Sequence, residues 1–323
     1  MSQGQGHRSF GLPAPVWSRT GRQPGRENGA TMFGWGRKKK SQMTPVMTTP
    51  VGPDFSHPAP ATHLVGEVLF PTTPAFDQVY AALTERVDGE ITQTHDGYLQ
   101  VNAPGSTTIV TVCDGPLPIP DVAATCHPLF WQRGTAPVEA HGAHVLISTR
   151  SAAEPTGASD EAAARAHTQA LASVHGMIGS AIAQMDDAIA YFMASTMTTM
   201  PADVSVAFTL DCLANNTLSG EMWRPVWVRP AAHSPVDATG FPTTWTAYTS
   251  GLAAFGHAEL QIESAPRTPN ELFDILTGIA SYVFDGATLY PGDTMGSSHA
   301  VSHTVTASVS LLDGVTPALS ITI

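Results

Sequence analysis

"AFGHAELQIES", residues Ala254–Ser264, is the stretch on which the fold turns. Beyond Gly256, which allows a sharp change of chain direction, polar and apolar residues alternate. Ala258, Leu260 and Ile262 fall on one side, and His257, Glu259, Gln261 and Glu263 on the other. That period of two is a β-strand with one apolar face. A helix follows at once in "TPNELFDILTGIASYVFD": Thr268 stands three residues before Glu271, the spacing of a capping box. Leu272, Ile275, Leu276, Ile279 and Val283 then line one side. "TTWTAYTS" before this unit, and "TVTASVSLL" and "ALSITI" after it, read as further strands.

Moving towards the N-terminus, "HLVGEVLF" (63–70) reads as a strand and "AFDQVYAALTERV" as a helix. "EITQTHDGYLQVNAPGSTTIVTVCDG" reads as short strands joined at the Asp-Gly steps. "PIPDVAATC" is expected to be a short helix, "AHVLIST" (143–149) a strand, and residues 160–184 a long helix striped by Leu171, Val174, Ile178 and Ile182. "DAIAYFMA" suggests a strand, Pro201–Asn216 a helix, and the proline-bearing "WRPVWVRPA" an edge strand. The expected fold is α+β: a mixed, largely antiparallel sheet with helices on one face. "GAHVLIS" and "GHAELQIES" are alike, each leading a strand towards a long helix. They point to two similar halves, 63–200 and 201–323.

Charge divides the chain of 323 residues. Residues 1–40 carry eight cations against Glu27, a balance of +7, whereas the remainder has seven arginines, no lysine and 26 acids, a balance of −19. Residues 1–62, rich in Gly, Pro, Ser and Thr and poor in apolar periodicity, are expected to be a disordered basic tail. Met32, opening "MFGWGRKKK", reads as the natural translation start. The acidic body disfavours nucleic acid, whose phosphates need cations, and favours a basic protein partner. The sequence shows no membrane span and no signal peptide. Cys113, Cys126 and Cys212 form no paired framework and read as buried thiols of a cytoplasmic protein. Nothing in the sequence fixes an oligomeric state.

Several chemistries lack their residues. There is no P-loop, no G-x-S-x-G and no H-E-x-x-H, and the body has no lysine for Schiff-base chemistry. "GMIGSA" (176–181) sits inside a helical pattern, not after a strand, and so is no dinucleotide loop. No cofactor is called for. "HGAH" (His141, His144) and "HAVSH" (His299, His303) lack the third ligand a metal needs, and no metal site is expected. The weak catalytic candidates are Glu259, paired with His257 or His144 as a hydrolase would require. Trp131, Trp223 and Trp227 are the aromatic candidates for a binding face.

"TSGLAAFGHAELQIES" and "PNELFDILTGIASYVFDGATLYPGDTMG" resemble a bacterial family, the domain of unknown function numbered 4261. Gly251, Gly256, Gly286, Gly292 and Gly296, with Glu259 and Glu263, carry the likeness, and "PIPDVAATC…W…HGAHVLIS" resembles the family's N-terminal half. The likeness extends over residues 63–310. His257 departs from the lysine or other polar residue the pattern implies there, which weighs against a catalytic role for it. The resemblance implies an α+β cytoplasmic bacterial protein with a role in competition, immunity or toxin neutralisation, and it brings no activity with it. The favoured reading is a non-enzymatic protein-binding or immunity-like module. A hydrolase using Glu259, and a structural component with no discrete site, stay open. Glu259 is expected to take its hydrogen bonds from the backbone of "GATLYPGDTMG" (286–296).

Overall fold

A computed structural model describes residues 55–94, 97–127, 130–131, 134–152, 161–215, 228–236, 242–298 and 301–323. All that follows concerns the unit Ser41–Ile323. Met32, the tail up to residue 54, His299, Trp223 and Trp227 lie outside the described residues, as do the surroundings of the Cys212 side chain.

Two sheets form the body. The first has the order β2 (Glu90–Gln93), β3 (Leu99–Ala103), β4 (Ser106–Cys113), β5 (Ala143–Ser151), β1 (His63–Phe70), β6 (Ala190–Met193), β7 (Thr198–Pro201). Every pairing in it is antiparallel. Apart from Glu67, β1 is apolar on both sides because it lies centrally, between β5 and β6, with both faces covered. On one face lie α1 (Phe76–Arg86) and α3 (Glu161–Ala183). The α3 stripe Leu171, Ala172, Ile178, Ala181 and Ile182 is buried against Leu64, Val68 and Phe70 of the same core.

Two glycines shape that core. A Cβ on Gly66 would come within 2.8 Å of the Tyr191 hydroxyl and of His175 Nε2, and one on Gly179 within 2.9 Å of the Tyr191 ring. Gly179 of "GMIGSA" thus admits an aromatic ring against a helix, as its place inside a helical pattern allowed. His175 is fully buried and hydrogen-bonds Thr149 (2.8 Å), which bonds Thr108 (2.9 Å). Burial holds the His175 pKa down to about 3, so it is neutral. Gly66→Ala forces Tyr191 or His175 from its place, and overpacking of this kind is expected to cost about 2 kcal/mol in urea denaturation.

The opposite face is covered by the β4–β5 connection. Leu117, Val122, Cys126 and Val138, the last in α2 (Ala136–Glu139), pack on Leu69, Ala190 and Phe192. The helix expected in "PIPDVAATC" is only a 3-10 turn, Ala123–Thr125. Pro118 and Pro120 withhold donors from a longer helix. Asp121 Oδ1 accepts from Ala124 N at 3.1 Å and the Thr125 hydroxyl donates to Val122 O at 2.6 Å, so the backbone's partners are local side chains. Cys126 then bridges β7 at Thr199, drawing the chain onto the sheet edge.

The second sheet has the order β11 (Thr294–Ser298), β12 (Val301–Val309), β13 (Pro317–Thr322), β10 (Glu259–Ala265), β9 (Pro242–Thr249), β8 (Val228–Val236). β10 and β13 run parallel and its other pairs antiparallel, so the α+β, largely antiparallel expectation is met in two sheets. α4 (Ala202–Asn215) packs on α3, and α5 (Pro269–Phe284) crosses β8, β9 and β10. The Thr268–Glu271 capping box opens α5 as the spacing predicts. β5 and β10, the strands of the two similar segments, differ in setting: β5 has antiparallel neighbours on both sides, β10 a parallel one.

Residues 55–62, placed in the tail by the sequence reading, are among the described residues. Phe55–Thr62 is a strap fixed to both layers: Ala61 N donates to Ala254 O (2.7 Å), Thr168 Oγ1 to Ala61 O (2.8 Å) and Ser151 N to Thr62 O (3.0 Å). Its proline-rich sequence has no period because tertiary bonds, not a regular element, hold it.

Candidate functional site

The quoted stretch forms a turn locked by its own carboxylate. β9 ends at Thr249, and a 3-10 turn, Leu252–Phe255, links it to β10. Gly251 (φ 113°) and Gly256 (φ 77°) flank the turn in a conformation that other residues adopt only with strain. A helical turn leaves its first N–H groups without partners. Glu259, returning on β10, supplies them: Oε1 accepts from Gly251 N (2.9 Å) and Ala253 N (3.0 Å). Oε2 accepts from Thr249 Oγ1 (2.6 Å), which itself accepts from Leu260 N (2.7 Å). The donors are therefore in residues 249–253, not in 286–296 as expected, because the nearest orphan N–H groups are those of the turn. Burial raises the Glu259 pKa above the ordinary range, and its hydrogen bonds to Thr249 and to the backbone of the turn oppose that rise. In either protonation state Oε1 remains an acceptor for the two N–H groups.

The alternation of the strand does not give it a solvent face. His257, Glu259 and Gln261 are as buried as Ala258, Leu260 and Ile262. Gln261 Oε1 accepts from Leu311 N (3.2 Å) and its Nε2 donates to Ser308 (2.8 Å), so the β12–β13 hairpin covers the polar side. His257 sits edge-on to His57 and Phe284. Burial, with Arg165 and His57 nearby, lowers its pKa to about 3. It makes no hydrogen bond to Glu259; its Nδ1 is buried without a partner among the described residues. Arg165 of α3 closes the site from the other layer, donating from Nε to Gly256 O (3.1 Å) and from a terminal nitrogen to Thr288 Oγ1 (2.8 Å).

The structure does not assemble the other candidates here. His144 is the second residue of β5 in the first sheet, where its Nδ1 bonds Gly115 O (2.9 Å). His141 Nε2 accepts from Leu117 N (2.7 Å) and Nδ1 faces Val138 O, so both histidines of "HGAH" clamp the β4–β5 connection. Trp131 is half-buried against the Leu69–Phe192 cluster and donates from Nε1 to Thr199 O (2.8 Å), capping that cluster. Gly286 and Gly292 have positive φ in turns, and Gly296 lies in β11 where its pairing with β12 shifts register. A cleft of about 460 Å³ opens beside α1, lined by Thr73, Gln78, Glu85, Arg86 and Asp187, and includes none of the candidates. Among the described residues no three His, Cys, Asp or Glu side chains gather as metal ligands would. No helix among them is long and apolar enough to cross a membrane.

The sequence reading overlooked Glu67 and His57. Glu67, the lone acid of "HLVGEVLF", lies opposite Leu146 and Phe192, buried, with Oε2 lacking a partner among the described residues. Burial raises its pKa to about 7. An acid inside an apolar strand was the available signal. The folded state favours the protonated form, so stability falls as pH rises from the unfolded value of 4.5 through about 7. Glu67→Gln is expected to be more stable than wild type at pH 8 by roughly 1–3 kcal/mol, with little difference at pH 5. Thermal melts at the two pH values check this.

No curated protein and no solved structure matches the chain. Residues 248–321, from the end of β9 through β13, match the model of the domain of unknown function DUF4261, and the locked turn with its Glu259 lies inside the matched segment.

Proposed function

We propose that the protein is a non-enzymatic binding module that docks a basic protein partner through the tip of the β12–β13 hairpin. The observation that carries this reading is an apolar tip held rigid in an acidic body. Val309, Leu311, Leu312 and Val315 are 51%, 47%, 45% and 76% exposed within seven residues. Clustered exposed apolar side chains mark interaction surfaces more often than scattered ones do. The tip is organised in advance, which lowers the entropy lost on docking. Asp313 Oδ1 accepts from Val315 N and Thr316 N (2.9 Å each), and its other oxygen takes the Thr316 hydroxyl. Ser310 N donates to Thr316 O (2.8 Å), and Gln261 holds Leu311 N.

The partner chemistry follows from charge. A body with 26 acids and seven arginines after residue 40 repels its own copies and attracts a cationic surface. The enzyme reading loses support because the oxygens of Glu259 are engaged by its own turn and strand.

The test is direct titration of a purified partner, first captured from a lysate, against wild type and the Leu311→Ser/Leu312→Ser variant. The variant is expected to bind at least about tenfold more weakly, equivalent to roughly 1.4 kcal/mol. Association is expected to slow as salt rises. A partner that binds the variant with unchanged Kd would exclude the tip, and failure to recover any specific partner would count against the binding reading.

A further inference from the structure

We propose that residues 55–62 form an acid-released strap, latched by His57, that clasps the α3 layer to the Gly251–Glu259 turn of the segment that matches DUF4261. The latch is a neutral imidazole used at both nitrogens. Ala258 N–H donates to His57 Nδ1 at 3.0 Å, and His57 Nε2–H donates to Leu289 O at 3.0 Å. This fixes one tautomer. An imidazolium carries hydrogen on both nitrogens and accepts at neither. Protonation therefore turns the Ala258 contact from a hydrogen bond into an N–H facing an N–H.

The cation would keep its hydrogen bond to Leu289 O, which favours it, but burial outweighs that contact. From α3, Arg165 adds like charge and Glu161 a weaker opposite one; from the turn–β10 link, His257 faces His57 at 6.1 Å between ring centroids. Tyr290 packs edge-on from the α5–β11 loop (5.3 Å) and Phe55 from the strap itself (5.2 Å). Glu161 is shared with Arg165, whose terminal nitrogen lies 3.2 Å from its Oε2. Burial lowers the pKa of His57, and of His257 beside it, from the ordinary 6.5. For a histidine lowered on docking, the docked state is fully favoured above 6.5. It weakens as pH falls from there towards the depressed value.

The rest of the strap is held by few bonds. Among the described residues its other hydrogen bonds are Ala61 N to Ala254 O, the Thr168 hydroxyl to Ala61 O and Ser151 N to Thr62 O; Phe55 and Ala61 pack on the core and Pro60 rests on Gly256. No regular secondary structure has to break for it to leave. The two sheets keep their own hydrogen-bond ladders, so release is local and gives up only the packing of Phe55, Pro60 and Ala61.

Nuclear magnetic resonance of the full chain tests this between pH 7.5 and 4.5. Backbone relaxation at residues 55–62 reports docking, amides of β1 and β5 report the intact fold, and the His57 ring shifts report its protonation. In wild type the strap is expected to be rigid at pH 7.5 with Nδ1 unprotonated. It should become mobile on acidification with the same midpoint as His57, while β1 and β5 stay folded. His57→Gln, whose amide oxygen and NH2 can serve Ala258 N and Leu289 O, is expected to keep the strap docked at pH 4.5. His57→Ala should leave it mobile throughout. A wild-type strap still rigid at pH 4.5, a release whose midpoint departs from that of His57, or loss of β1 and β5 in the same step overturns the proposal. These ring and relaxation readings need no variant to dock.

Discussion

Glu259→Ala is expected to lose roughly 3–5 kcal/mol of unfolding free energy, the largest effect of any substitution considered. Three donors, Gly251 N, Ala253 N and the Thr249 hydroxyl, lose their acceptor in a site where the carboxylate is 5% exposed. Each buried donor left unmatched costs about 1–3 kcal/mol, and the vacated side-chain volume adds a cavity term. Water entering that space offsets part of the sum. Urea denaturation at pH 7 measures it. A loss under about 1 kcal/mol would mean that the turn finds other acceptors and that the carboxylate is not its anchor.

Gly256→Ala is expected to cost about 3–4 kcal/mol by a different route. At φ 77° an L side chain carries roughly 1–2 kcal/mol of strain. The added Cβ also falls 2.6 Å from Pro60 Cγ and 3.3 Å from Arg165 Cγ. Pro60 cannot yield without lifting the strap, and Arg165 cannot without drawing its guanidinium from Gly256 O and Thr288. Overpacking of this order typically costs 1–3 kcal/mol. The same denaturation experiment reads the loss, and strap mobility at pH 7.5 shows how the clash is relieved.

What was legible in the sequence was local. The capping box at Thr268, the apolar stripe of α5 and the strand β10 each depend on residues within a few positions, and each is present. The bend at Gly256 was also legible, because a glycine before an alternating strand signals a sharp change of direction. The partners of Glu259 were not. Any nearby loop N–H satisfies a carboxylate on paper, and only the path of the 3-10 turn puts Gly251 and Ala253 in reach. The burial of His257 was hidden for a related reason. Period two says which side a residue faces, but not that the strap and Phe284 cover that side. The strap itself, "FSHPAPAT", carries no period and is specified by distant contacts. Glu67 was passed over as one polar letter in an apolar strand, although its burial makes it the acid whose ionisation most perturbs the first sheet.

The central claim is that the carboxylate of Glu259 serves the fold and is not held open for a substrate. Hydrogen exchange at the Gly251 and Ala253 amides, in wild type and in Glu259→Ala, reads it at the atoms concerned. With the carboxylate bound inside, both amides are expected to exchange at least about a thousandfold slower than in an unstructured peptide. Both should lose most of that protection in the variant while the amides of β1 and β5 keep theirs. Wild-type amides at Gly251 and Ala253 that exchange within about tenfold of the unstructured rate would contradict the claim, leaving Glu259 free for chemistry.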